Sequence, residues 1–259
     1  MGEKMDRGTD LMKGTLAECQ KMEIRHARRG WCQECICCIT KSDFKYYDTT
    51  LNDDPENNSN KQKVAVSKEE FNFCCRCCIG PCHSFDMTVK APSLPENQNP
   101  EIIEVNRPCR LPMCTCKCCC YQEATVFSGD ADLGEVREAF WCCVPKFKVY
   151  DHDDKPVYII KPPTCCGGLC IDCCTEGAPC PHGCLMLPWR VYAADASSTN
   201  GDAPYVGKML KIPKATFRDT FNETSYVELQ FPDDADANNK GLLLGAYLLI
   251  NALFFEHSE

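Results

Sequence analysis

The chain has 259 residues and a formal net charge of -9, enough length for one large or two small domains with a real core. Its hydrophobic content of 44% excludes wholesale disorder. The acidic balance argues against phosphate-driven nucleic-acid binding or a polybasic membrane grip by the chain as a whole, and leaves a local basic patch open.

Residues 1 to about 24 are polar and lack sustained periodicity, which reads as a flexible tail with a short helix near Leu16–Met22. The first residues carry no apolar h-region, so no secretory leader is expected in them. Gly2 invites a myristoylation reading, but Asp6 stands where that pattern wants Ser or Thr. Trp31–Tyr47 mixes cysteines with β-formers and reads as one or two short strands. The stretch from Leu51 to Gln62 is a surface loop by its Asn, Asp, Pro and Ser content. Short β-rich runs then recur between turn signals: Val64–Val66, Ser84–Val89, Glu101–Val105, Tyr121–Phe127, Phe147–Tyr150, Val157–Ile160, Leu187–Tyr192 and Tyr226–Phe231. His152, between Asp151 and Asp153, suits a hairpin turn, and Ala193–Ala203 another exposed loop.

The longest apolar run is Gly241–Phe255, in which only Tyr247 and Asn251 carry polar side-chain atoms. A helix apolar all round must be buried in protein or in a bilayer. Its length of about 22 Å at 1.5 Å per residue falls short of a hydrocarbon core of about 30 Å. This favours a buried central helix over a membrane insert. Asp233, Asp234 and Asp236, followed by Asn238 and Asn239, suit its start, with carboxylates near the positive dipole end and an amide as cap. Many short strands and one terminal hydrophobic helix are most economically a closed sheet that swallows the helix.

Cysteine is the outlier, with 25 residues, all but Cys19 and Cys109 in five groups: 32–38, 74–82, 114–120, 142–143 and 165–184. Adjacent cysteines suit intrachain bridging poorly, so the thiols read as reduced, lipidated or metal-bound in an intracellular protein. Structural zinc wants four thiolate or imidazole ligands; Cys170, Cys173, Cys180 and Cys184 offer the best set. Lipidation needs only accessible thiols near a membrane, and the dense run Cys114, Cys116, Cys118, Cys119 and Cys120 suits it better. Two or more acyl chains anchor stably where one does not. Isolated Cys19 and Cys109 read as small apolar residues filling β-structure. Redox catalysis at a Cys-x-x-Cys is disfavoured, because no helix start follows the pairs to lower a thiol pKa. The histidines sit in unrelated contexts, with no nucleophile arrangement beside them, and no enzyme site emerges.

Together these features resemble the phospholipid scramblase family from roughly Phe73 to Glu256. The resemblance rests on Arg107-Pro-Cys-Arg110, Tyr121-Gln-Glu123, Trp141-Cys-Cys-Val-Pro-Lys-Phe147, Phe217-Arg-Asp-Thr-Phe221, Gln230-Phe-Pro232 and Leu253-Phe-Phe-Glu256. Cys74-Cys-Arg-Cys-Cys-Ile-Gly-Pro81 and Gly207-Lys208 add to it. It implies a mainly β fold: a closed antiparallel β-barrel around a C-terminal hydrophobic helix, shared with Tubby-like proteins. The barrel domain would run over residues 25–256 with its helix at about 240–255, and Gly241, Leu244, Leu248 and Phe255 on that helix. It also implies palmitoylation of Cys114, Cys116, Cys118, Cys119 and Cys120, although Thr115 and Lys117 interrupt the family's run.

The family's calcium segment aligns with Glu223 through Asp234, putting candidate ligands at Glu223, Ser225 and Asp234. Calcium wants six to eight hard oxygens, so a site with a hydroxyl replacing a carboxylate is expected to be weak. Tyr226–Phe231 alternates like a strand, which would fix rather than wrap such a loop. The family's proline-rich N-terminal extension is expected to be missing, and its nuclear-import region is matched only through Lys208 and Lys211. The implied function is calcium-dependent, ATP-independent, bidirectional movement of phospholipids by an acylated protein on the cytoplasmic face of the plasma membrane, with a nuclear pool. The rival is a membrane-tethered scaffold or signalling module binding proteins or phosphoinositides, since a helix serving as barrel core cannot also line a lipid path. Nucleic acid is the least expected partner.

Overall fold

The computed structural model describes residues 2–26, 43–51, 61–71, 84–92, 100–110, 116–117, 120–142, 144–165, 170–171, 187–199, 203–212 and 226–255. Helix α1 (Gly2–Leu16) leads into β1 (Lys21–His26), β2 (Phe44–Asp48), β3 (Gln62–Phe71), β4 (Phe85–Lys90) and β5 (Glu101–Arg107). There follow β6 (Cys116–Lys117), β7 (Glu123–Ser128), β8 (Ala131–Glu138), β9 (Trp141–Cys142), β10 (Phe147–Asp151) and β11 (Pro156–Lys161). The last strands are β12 (Thr164–Cys165), β13 (Cys170–Ile171), β14 (Leu187–Ala193), β15 (Gly207–Ile212) and β16 (Tyr226–Gln230), before helix α2 (Ala237–Ile250). Among the described residues β6 pairs only with β9, and β12 only with β13. The other twelve strands form a closed antiparallel barrel in which chain neighbours are sheet neighbours, and β1 pairs with β16 to close it.

Alternation sorts the residues of the wall. Phe85, Met87 and Val89 of β4 point inward and are buried, while Asp86 is exposed between them. In β7, Ala124, Val126 and Ser128 are buried between the outer positions Glu123, Thr125 and Phe127. Period-two alternation of this kind is what a half-buried strand requires. Gly134 in β8 has φ +130, and a Cβ there would lie 2.1 Å from the Tyr150 carbonyl oxygen. Only glycine lets β8 and β10 approach so closely.

The barrel interior is filled by α2. Gly241, Leu244 and Leu248 are buried, as are nine other residues of this helix. Asp236 is its N-cap, with Oδ1 accepting from the Asn239 N–H at 2.8 Å, so the cap is a carboxylate rather than the expected amide. After Ile250 the chain continues as a wider π-helical turn, Asn251–Phe255. Phe254 in that turn packs against Trp189 and Phe147, with ring centroids 5.1 Å and 6.2 Å apart; the side chain of Phe255 lies outside the description. No helix among the described residues is long and apolar enough to cross a membrane.

The flexible tail expected over residues 1–24 is instead α1, a tight connection and β1, a full member of the barrel. Met12 and Leu16 are buried to 0% and 2% exposure, and a Cβ on Gly241 would come within 3.3 Å of the Met12 sulfur. Lys240 Nζ donates to the Ala17 carbonyl at 2.8 Å, placing a cation at the carbonyl end of α1, where the helix dipole favours it. Because α1 packs by so few apolar residues, the segment reads as polar in sequence.

Because the barrel is a meander, its connections alternate between two ends. α2 enters at the end where β16 finishes, and α1 covers that opening. Phe254 reaches the opposite end, where β10 and β14 begin. The hairpin containing His152 joins β10 to β11 as expected; Asp151 Oδ1 accepts from the N–H groups of Asp153 and Lys155 at 3.1 Å and 2.9 Å.

Candidate functional site

The connection between β5 and β7, residues 108–122, carries the dense cysteine run and leaves the barrel at the end that Phe254 reaches. Its two feet are tied by a buried polar cluster. Arg107, the last residue of β5, is 1% exposed, and Gln122, next to β7, is also 1% exposed. Arg107 Nη2 donates to Gln122 Oε1 at 2.9 Å, and Gln122 Nε2 donates to the Arg110 carbonyl at 3.0 Å.

Glu138, at the end of β8, completes the clamp. Its carboxylate accepts from the Gln122 N–H at 2.9 Å and from Trp141 Nε1 at 2.7 Å, while the Glu138 N–H donates to the Gln122 carbonyl at 2.7 Å. Arg107 also stands over the Phe85 ring, 5.5 Å from its centroid. Arg110 donates to the Tyr121 carbonyl at 3.1 Å and pairs with Glu123. Burying a carboxylate is costly unless its lone pairs are satisfied; here two of them hold the backbone of one cysteine segment and the indole of the next.

The clamp ties together the two feet of this connection. Cys120, exposed and immediately before the clamp, has φ 57, a left-handed conformation that a side-chain-bearing residue adopts only where its surroundings enforce it. Cys109 is exposed as well, not buried filler as its isolation suggests. β6 and β9 bring Cys116 opposite Cys142 in register. Cys114, Cys118 and Cys119 lie outside the described residues. The buried isolated thiol is Cys19, whose pKa is pushed up to about 12, first by burial and then by the nearby Asp48 carboxylate. It is an apolar filler.

Of the zinc candidates, Cys170 is described by its backbone, which pairs with Cys165 across the β12–β13 ladder. Cys173, Cys180 and Cys184 lie outside the described residues. Among the described residues no three His, Cys, Asp or Glu side chains gather in a metal-binding arrangement.

Of the calcium candidates, Glu223 and Ser225 lie outside the described residues, and Asp234 is exposed. Ser225 directly precedes Tyr226, the first residue of β16, whereas Asp234 follows the far end of that strand. Five strand residues at about 3.3 Å each put roughly 16 Å between those ends. Asp234 is therefore separated from Tyr226, the first residue of β16, by far more than the calcium–oxygen distance of about 2.3–2.6 Å. Asp236 is engaged as the helix cap.

A family model described as Scramblase matches residues 55–176, a span containing Arg107, Gln122, Glu138 and Trp141. Human "Phospholipid scramblase 1" is 27% identical over 199 residues, covering 77% of this chain and 55% of the relative. Bovine "Phospholipid scramblase 2" is 28% identical over 200 residues, 77% of this chain and 59% of the relative. Over these spans the chain is similar to the scramblase family.

Human "Phospholipid scramblase family member 5" is 25% identical over 164 residues. The chain spans little more than half the length of the first of these relatives. No solved structure matches. The residues that sequence reasoning overlooked are Gln122 and Glu138. The signal was present: Gln122 sits inside one motif quoted for the resemblance, and Glu138 occupies the inward parity of Val136 in β8.

Proposed function

We propose that the protein is an acylated, membrane-associated scramblase-family protein that engages phospholipids on the cytoplasmic face of the plasma membrane. Its role is in ATP-independent, bidirectional movement of those lipids, without catalytic turnover of a substrate. The observation that supports this reading is the buried Arg107–Gln122–Glu138–Trp141 clamp, which fixes the feet of the cysteine run at one end of the barrel. Such a clamp has a purpose if the segment it holds must meet a surface in a defined position. The acylated thiols in this reading are those of Cys114, Cys116, Cys118, Cys119 and Cys120, and a form lacking acyl chains supplies a nuclear pool. Calcium dependence enters only through Glu223 and Ser225, since Asp234 stands at the other end of β16, and structural zinc only through Cys170 and its neighbours in sequence.

The test is fractionation of the full chain from cells before and after hydroxylamine, which cleaves thioesters. The proposal expects membrane recovery that hydroxylamine abolishes, and loss of acyl label when the five cysteines are replaced by serine. Recovery in the soluble fraction with no thioester would overturn it.

A second reading, a membrane-tethered scaffold or signalling module binding proteins or phosphoinositides, is favoured by one observation. The apolar helix is enclosed by the barrel, so it cannot line a path for lipid tails. Outward strand positions such as Lys45, Asp86, Glu104 and Lys148 are charged, unlike the apolar band of about 25 Å on a membrane barrel. Reconstitution decides between the two: lipid exchange between leaflets by the purified acylated protein alone supports the first, and headgroup binding without exchange the second.

A further inference from the structure

The two small ladders outside the barrel share a feature that the barrel lacks. Among the described residues no barrel strand carries a cysteine, whereas β6, β9, β12 and β13 each carry one. In both ladders the cysteines stand opposite each other, Cys116 against Cys142 and Cys165 against Cys170. A register shifted by one residue would separate either pair.

Directly opposite residues of an antiparallel pair have Cα atoms about 4.5 or 5.5 Å apart, depending on the hydrogen-bonding pattern. Both spacings fall within the range of about 4.4–6.8 Å that a disulfide needs. Neighbours in sequence suit bridging poorly; neighbours across a ladder do not share that difficulty. Cys165 and Cys170 belong to one short hairpin, and Cys170 is already a zinc candidate, so the inference is confined to Cys116 and Cys142.

That pair has both of its strands anchored to one group. Glu138 accepts from the N–H of Gln122, at the foot of the segment that carries β6. The same carboxylate accepts from Nε1 of Trp141, the residue immediately before Cys142. Trp141 in turn stands opposite Lys117 in the ladder. Holding two reacting groups in place in this way raises their effective concentration toward each other. The clamp thus fixes a register in which the backbones of two cysteines lie at bridging distance.

We infer that Cys116 and Cys142 are a redox-sensitive pair, which closes into a disulfide by exchange with glutathione disulfide and, while closed, withholds Cys116 from acylation. The second half rests on the acylated reading of the cysteine run and adds a regulation to it; the first half stands without that reading. One protein thiolate attacks a sulfur of glutathione disulfide, forming a mixed disulfide and releasing one glutathione thiolate. The other protein thiolate attacks the protein sulfur of that mixed disulfide and releases the second glutathione. Two electrons pass from the protein dithiol to glutathione disulfide, and the two protons given up by the cysteines end on the two glutathione thiols. In a reducing compartment such a bridge is transient and redox-sensing. A thioester and a disulfide need the same sulfur, so oxidation and acylation of Cys116 exclude one another. Cys109 and Cys120 are free and exposed and stay open to acylation in either state.

The experiment equilibrates the full chain, carrying Cys143→Ser so that the bond is assigned without ambiguity, in glutathione buffers of rising disulfide content. Remaining thiols are trapped with N-ethylmaleimide and peptides are mapped by mass spectrometry. A peptide joining Cys116 to Cys142 is expected, which dithiothreitol removes and which is lost in Cys142→Ser. Both thiols alkylated at every buffer composition, or Cys116 joined indifferently to several other cysteines, would overturn the pair. In cells labelled with an alkynyl fatty acid, diamide is expected to lower acyl occupancy of Cys116 in the parent chain and to leave it unchanged in Cys142→Ser. An equal fall in both would overturn the competition and leave the disulfide standing. Absence of a thioester on Cys116 under every condition would overturn the acylated reading at that residue, and the competition with it, while the peptide map alone decides the disulfide.

Discussion

Gly245 of α2 lies so close to Val126 of β7 that a Cβ on it would stand 2.4 Å from Val126 Cγ2. Alanine in a helix interior ordinarily gains about 0.5–1 kcal/mol over glycine, but overpacking of a filled core costs about 1–3 kcal/mol. Gly245→Ala is therefore expected to lower stability in denaturant titration, and Val126→Ala to be less harmful in the Gly245→Ala background than alone. Additive effects would mean that the contact is not shared. Cys19 illustrates the pH side. Its thiol titrates near the ordinary value of 9.0 when unfolded and is pushed up to about 12 in the fold. Tyr158 moves from 10.0 to about 12, first through burial and then through Asp234. Both groups keep their protons in the folded state while the unfolded chain releases them, so stability falls as pH rises through about 9 to 12. Burial lowers Lys240, which acts in the opposite sense over part of that range. Melting curves should decline from about pH 9, and in Cys19→Ala the onset should move toward pH 10.

At the scale of elements, the clamp and the docked α1 are where sequence and structure diverge. The quoted motifs located Arg107, Gln122 and Trp141, yet their use as a buried network depends on β5, β7 and β8 being neighbours, which local periodicity does not report. Glu138→Ala removes the acceptor for the Gln122 N–H and the Trp141 indole, and each buried donor left unsatisfied costs about 1–3 kcal/mol. The expected result is a destabilised protein with altered Trp141 emission and increased proteolysis within 108–122; Glu138→Gln should retain part of both bonds and fall between. Strands β4 and β10 were legible because their apolar residues alternate cleanly, and β5 because Ile102, Ile103 and Val105 are β-branched. β8 was not, because Asp132, Glu135 and Arg137 fill its outer positions and Gly134 interrupts it. α1 was illegible for a related reason: it is held by Met12, Leu16 and a lysine from α2, a sparse pattern that becomes a stripe only once the barrel mouth is there to receive it. Met12→Ala is expected to cost about 2–5 kcal/mol and to expose 2–16 to protease; an unchanged melt would mean that α1 does not hold the mouth.

At the scale of the molecule, the closed barrel around a hydrophobic helix follows from one physical fact visible in the sequence. Gly241–Phe255 is too apolar for water and too short for a bilayer, so something must enclose it. What the residues could not disclose was the parity of the meander, because that depends on the number and order of strands. The separation of Tyr226 from Asp234 has the same origin: β16 stretches from one end of the barrel to the other. Asp234→Asn is therefore expected to leave any calcium response of vesicle binding unchanged, and a lost response would show that the two ends meet. The account stands on the helix remaining barrel core when the protein is on a membrane. The direct measurement is photocrosslinking from a diazirine amino acid replacing Leu249, which is fully buried, with the protein bound to phosphatidylserine vesicles and adducts identified by mass spectrometry. Adducts to barrel-strand peptides alone are predicted; adducts to lipid would show that the helix leaves the barrel and would contradict the account.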